Sequence, residues 1–210
     1  MRVTKVLFAL SFIMLNYSAF AQTEGATWAS IRVQKKLSKQ FKVFMEPQLR
    51  WTDTQLEQRL LETGLDYEPI KYFSTTVIHR YSIETTNNGR VNEHRFALDL
   101  NGKIGINNWE PEVRIRYTNL QDFNADGGVN YLRYKIGVGY ELKEIRTKPE
   151  ISAEAFQELV ENSIKKYRYA MGVSYDFNKT ITSGVSYKRE SFRTKQKYVN
   201  ILDFNLKFKI

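Results

Sequence analysis

The 210-residue sequence predicts an all-β protein, an antiparallel up-and-down transmembrane β-barrel of about ten strands, with about twelve as the alternative, around a charged lumen. Three observations lead there. Apolar and polar residues alternate with period two through most of the chain, as in strands with one greasy and one polar face. Many alternating runs reach roughly 10 to 14 residues, beyond the roughly 5 to 6 of soluble strands and enough for a tilted membrane crossing. Aromatic residues gather at run ends, at Trp51, Tyr67, Trp109, Tyr117, Tyr140 and Tyr187, where an amphipathic ring suits a lipid headgroup layer.

The chain opens on a segment to be set apart from the fold. Arg2 and Lys5 precede an apolar run from Val6 to Leu15, and Ala19-Phe20-Ala21 has the small-x-small pattern of a signal-peptidase site. Residues 1–21 are therefore read as a signal peptide cleaved between Ala21 and Gln22, its apolar run being too short to span a bilayer. Residues 22–40 form an N-terminal segment: a periplasmic stretch, a partial plug or an extra strand at the barrel seam. The barrel is assigned to residues 41–210.

Its first run, "FKVFMEPQLRW", sets Phe41, Val43, Met45, Pro47, Leu49 and Trp51 against Lys42, Glu46, Gln48 and Arg50, with Phe44 the one exception. Similar runs cover residues 58–67, 71–84 and 92–105. "WEPEVRIRY" then alternates Trp109, Pro111, Val113, Ile115 and Tyr117 with Glu110, Glu112, Arg114 and Arg116, and "YLRYKIGVGYEL" continues the pattern over 131–142. Over Pro149 to Ile164 a helix could place Ile151, Ala155, Leu159 and Val160 on one face; a strand over Glu150 to Gln157 is preferred because it keeps the hairpin spacing. "RYAMGVSYDF" follows within 164–177, then 180–190 and the terminal strand, where Phe204, Leu206, Phe208 and Ile210 oppose Asn205, Lys207 and Lys209.

Short turns near 38–40, 68–71, 107–108, 143–148 and 178–179 alternate with longer polar loops near 53–57, 85–91, 118–129, 158–163 and 191–197, the asymmetry of outer-membrane barrels. Both ends of such a barrel usually face the periplasm, which requires an even strand number and gives ten from Phe41 to Ile210. The alternative, a soluble periplasmic β-barrel binding protein, would alternate in the same way with its apolar face inward.

Composition narrows the function classes. With no cysteine, the chain can form no disulfide and offers no thiol chemistry or cysteine-bound zinc. Its formal charge of +9 suits anionic lipid or solubility, and export argues against a nucleic-acid partner. The expected partners are outer-membrane lipid, lipopolysaccharide phosphates near basic clusters such as Lys188 to Lys197, and the machinery that inserts barrels. Nothing in the chain calls for a cofactor.

"ATWASIRVQKKLSKQFKVFMEPQLRW", "GLDYEPIKYFSTTVIHRY", "NEHRFALDLN", "EVRIRY" and "RYAMGVSYDF" follow one another in an order that resembles an exported family common in Bacteroidetes, domain of unknown function 2490. The marks are Trp28, Glu46 with Arg50, and Arg80, Arg95 and Arg114. The resemblance implies an outer-membrane barrel and supplies no catalytic site.

If the apolar face meets lipid, the polar face encloses a network of Glu46, Arg50, Glu62, Arg80, Glu93, Arg95, Glu112, Arg114, Arg116, Arg133, Glu154 and Arg168. A lone buried charge is costly, so these groups are expected to interlock as ion pairs or to ring a narrow pore for polar solutes. A hydrolase would need a base; His79 and His94 both fall on the apolar face, away from Ser74 and Ser82, so no enzyme is expected. "DFNADG" offers Asp122, Asn124 and Asp126 as a weak calcium-loop candidate, without the closing glutamate: Arg133 stands there. The expected function is thus a structural or envelope barrel with a salt-bridged lumen, or a narrow pore.

Overall fold

The computed structural model describes residues 24–53, 55–86, 89–122, 129–193 and 197–210. The signal-peptide segment with its Ala21–Gln22 junction and the calcium candidates Asn124 and Asp126 lie outside the described residues; the backbone of Asp122 ends a strand. Eleven strands are described: β1 Glu24–Lys36, β2 Phe41–Thr52, β3 Gln55–Ile70, β4 Phe73–Thr86, β5 Gly89–Lys103, β6 Trp109–Asp122, β7 Asn130–Tyr140, β8 Thr147–Glu158, β9 Ser163–Asp176, β10 Ile181–Phe192 and β11 Lys197–Lys209. Sequence neighbours pair antiparallel all the way round, and β11 closes the barrel against β1.

That closing pair is parallel, running from Glu24 opposite Val199 to Gln34 opposite Lys209. The even count expected from hairpin logic is therefore corrected to eleven. The additional strand lies within residues 22–40, where Ala29, Ile31 and Val33 alternate with Ser30, Arg32 and Gln34. Parallel pairing permits an odd number because β1 and β11 run in the same direction, so Glu24 and Ile210 lie at opposite rims. Residues 150–157 are strand, within β8.

The long-loop expectation also needs correction. Pairing continues from Phe73 opposite Gly102 to Thr86 opposite Gly89, so most of the polar stretch 85–91 is ladder rather than loop. Likewise Thr52 pairs with Gln55 and Phe192 with Lys197. Backbone hydrogen bonding tolerates polar side chains on both faces once a strand leaves lipid, and alternation alone cannot mark where such a strand ends. At the other rim the turns are local chemistry: Ser38 Oγ accepts from the Gln40 and Phe41 amides, and Asn178 Oδ1 from the Thr180 and Ile181 amides. Asn107 takes φ 56°, the left-handed conformation that asparagine tolerates.

The polarity is inside out. Val113, Ile136, Ile151, Met171 and Phe204 are exposed on the outer wall, whereas Asp99, Glu154, Glu190 and Asp203 are buried within it. A water-soluble barrel requires the reverse; hydrocarbon as the outer solvent accounts for both sets. At the short-turn rim, aromatic pairs form a girdle: Phe41 stacks on Tyr67 and Trp109 meets Tyr140 edge-on, each with centroids 4.8 Å apart. Toward the other rim, outward tyrosines donate to amides on the next strand: Tyr81 to Asn92, Tyr117 to Asn130, Tyr134 to Gln157 and Tyr187 to Asn200. Each hydroxyl thus keeps a partner where lipid would offer none.

Candidate functional site

Strand register decides which charges meet in the lumen. It sets Glu62 beside Arg80, Asp99 beside Arg116, and Arg168 between Glu154 and Glu190. Cross-strand neighbours of opposite charge lie within reach of each other, and the pairs form. Arg116 grips Asp99 through Nε and Nη2, both at 2.6 Å, and Arg80 Nε donates to Glu62 at 2.6 Å.

The densest web centres on Glu154. Its carboxylate accepts from Arg114 Nη2 at 2.7 Å, from Arg133 Nε at 3.1 Å and Nη2 at 2.9 Å, and from Arg168 Nη1 at 3.4 Å. Glu190 receives Lys166 Nζ and Arg168 Nε, each at 2.8 Å. The ring of Phe156 lies beneath Arg133 and Lys166 at 4.3 and 4.5 Å, giving part of that positive charge an aromatic face. Further along the barrel Arg32 bonds Glu46 at 3.2 Å, Lys135 bonds Glu112 at 2.5 Å and Lys188 bonds Asp203 at 2.6 Å.

On the opposite wall, β2 to β5, two arginines stand apart from the ion pairs among the described residues. Arg50 binds neutral acceptors, Gln48 Oε1 at 2.7 Å and Gln58 Oε1 at 3.0 Å, with its guanidinium 4.0 Å from the Trp28 ring. Arg95 stands directly opposite Arg80 in the β4–β5 register. Its Nε is buried and finds no acceptor among the described residues.

These side chains surround a lumenal cavity of about 550 Å³. Eleven of the twelve network candidates line it: Glu46, Arg50, Glu62, Arg80, Arg95, Glu112, Arg114, Arg116, Arg133, Glu154 and Arg168. Glu93, paired with Ser82 nearer the other rim, is outside its lining. A second cavity of about 230 Å³ lies toward that rim, bordered by Glu24, Glu57 and Glu84. Trp28, Arg50 and Glu190 border both, and so form the septum between a basic chamber and an acidic vestibule.

Sequence reasoning left out Arg32 and did not place Trp28 in the lumen, because residues 22–40 were held apart. The signal is present: Trp28 is in phase with Arg32 and Gln34, which places it on the polar side of β1. The histidines stay on the outer wall, His79 Nε2 lying 2.9 Å from His94 Nδ1, while Ser82 is buried on the other face.

A closed wall, apolar outside and ionic within, defines a porin-type outer-membrane β-barrel fold. Within that class the chain belongs to the family described as Protein of unknown function (DUF2490), whose model matches residues 25–200. No curated protein matches the sequence. Among solved structures the NanC porin is similar, with TM-score 0.57, 12% identity and coverage of 89% of this chain and 98% of that one. The β domain of the Bordetella autotransporter BrkA gives TM-score 0.47 at 10% identity, covering 82% and 83% of the two chains. A loop-deleted OmpT of Vibrio cholerae gives 0.43 at 10%, with 80% of this chain matched to 62% of that protein.

Proposed function

We propose that the protein resides in the outer membrane and that its lumen is a narrow pathway favouring small polar solutes of negative charge. The carrying observation is the chamber's lining, in which thirteen lysines and arginines face eight carboxylates. Charge of one sign concentrated on the walls of a low-dielectric tube raises the local concentration of counter-ions and sets the selectivity of a pore. This reading has no catalytic step.

The test is a planar bilayer containing the purified protein with a salt gradient across it. The expected result is small, reproducible unitary current with a reversal potential of the sign that reports chloride over potassium. Preference for potassium would remove the anion reading. Absence of current in protein that shows the heat-modifiable gel mobility of a folded barrel would favour a second reading, a filled structural barrel. The septum of Trp28, Arg50 and Glu190 and the Glu154 web support that alternative. Recovery with soluble periplasmic proteins instead of outer membranes would refute the location.

A further inference from the structure

We infer that the β2–β5 wall of the lumen holds a binding station for a small oxyanion, a carboxylate or phosphate, with Arg50 and Arg95 supplying donors on either side of the Arg80–Glu62 pair. The inference rests on reading the lumen as a cation-rich passage and names the place where an anion would pause.

Four neighbouring strands contribute one group each: Arg50 from β2, Glu62 from β3, Arg80 from β4 and Arg95 from β5. Three guanidinium groups thus stand around Glu62, whose carboxylate Arg80 already engages. Electrostatically, Arg50 is repelled by Arg80, Arg168 and Arg95 and attracted by Glu62. Arg95 is repelled by Arg80 and attracted by Glu62 and by Glu93, which lies two residues along the same strand. The register fixes Arg80 against Arg95, and like charges directly opposite each other on a sheet are destabilising.

Donor supply points the same way. Arg50 directs its bonds to amide oxygens of Gln48 and Gln58, which carry no charge. Arg95 keeps a buried Nε with no acceptor among the described residues. Both arginines line the chamber. An incoming carboxylate or phosphate offers a guanidinium the paired acceptors that its planar fork fits, and it offsets the excess charge at the same time. The β6–β10 wall differs, because Glu154 and Glu190 already engage Arg114, Arg133 and Arg168.

Trp28 makes the station observable. Its ring lies 4.0 Å from the Arg50 guanidinium, and the chain has three tryptophans, so replacing Trp51 and Trp109 by Phe leaves it as the sole tryptophan, excited selectively at the red edge beyond tyrosine absorption. The experiment titrates this protein, folded in detergent, with inorganic phosphate and separately with succinate, at ionic strength held constant with chloride. A saturable change in Trp28 emission is expected. R50Q and R95Q should weaken the apparent affinity about ten-fold or more, the scale of losing a charged hydrogen-bond partner. R95K, which keeps the charge but loses the fork, should fall between, and R189Q on the outer wall should behave as the parent. Heat-modifiable mobility confirms that each variant is folded, and R95K serves if a glutamine variant is not.

No saturable response when phosphate or succinate replaces chloride, or an unchanged response in all three lumen variants, would overturn the inference. The titration needs no current. A non-conducting barrel that binds phosphate retains the station and loses the pathway; a conducting barrel that does not bind loses the station alone.

Discussion

A single hydrogen at Gly64 determines how Arg32 is held. Phe44, the residue that breaks the alternation of β2, turns into the lumen directly opposite Gly64, and the Arg32 guanidinium caps its ring at 3.5 Å. A Cβ built at Gly64 would stand 2.5 Å from two Phe44 ring carbons and 2.8 Å from the Val77 carbonyl oxygen. Gly64→Ala must therefore displace the ring and the cation stacked on it. The expected loss is about 1 to 3 kcal/mol, read from the urea midpoint of the barrel in detergent. Gly25→Ala, with nothing within 4 Å of its Cβ, should leave the midpoint unchanged. At this scale the sequence shows Phe44 as an exception and Gly64 as a glycine, but their partnership depends on register, which side-chain type alone does not encode. The surplus on Arg50 and Arg95 is similarly hidden: the alternating pattern puts both inward, yet only the neighbouring strands reveal which arginines have carboxylates.

Strands were legible where lipid enforces a strict division of faces, as in "EVRIRY" and "RYAMGVSYDF", and illegible where it does not. β1 has small residues, Ala26 and Ala29, and an inward tryptophan, so its pattern is weak. The parallel seam left no local trace at all, since it joins residues from the two ends of the fold. It is directly testable because the chain has no cysteine. Ala29→Cys with Phe204→Cys, register partners on the outer wall, should cross-link under mild oxidant and shift the unfolded band on a gel. Leu49→Cys with Phe204→Cys should not, because β2 stands two strands, about 10 Å, from β11, beyond a disulfide's reach of about 7 Å between Cα atoms. The opposite outcome would restore a ten-strand barrel closed by β2.

For the molecule as a whole, the two aromatic levels fix its seating in a bilayer. The Phe41–Tyr67 and Trp109–Tyr140 pairs belong at one headgroup layer and the tyrosine–amide pairs at the other, with the exposed aliphatic residues between them. Ser38 and Asn162 then lie on opposite sides of the membrane. With the short turns in the periplasm, Asn162→Cys should react with a membrane-impermeant maleimide on intact cells, whereas Ser38→Cys should react only after permeabilisation; the reverse pattern would invert the molecule. The same-direction seam carries a further consequence for engineering. Because β1 begins at one mouth and β11 finishes at the other, a peptide bridge grafted between Glu24 and Ile210 would have to thread the bore or cross the bilayer, so this barrel cannot be circularly permuted with a short tether as an even-stranded one can.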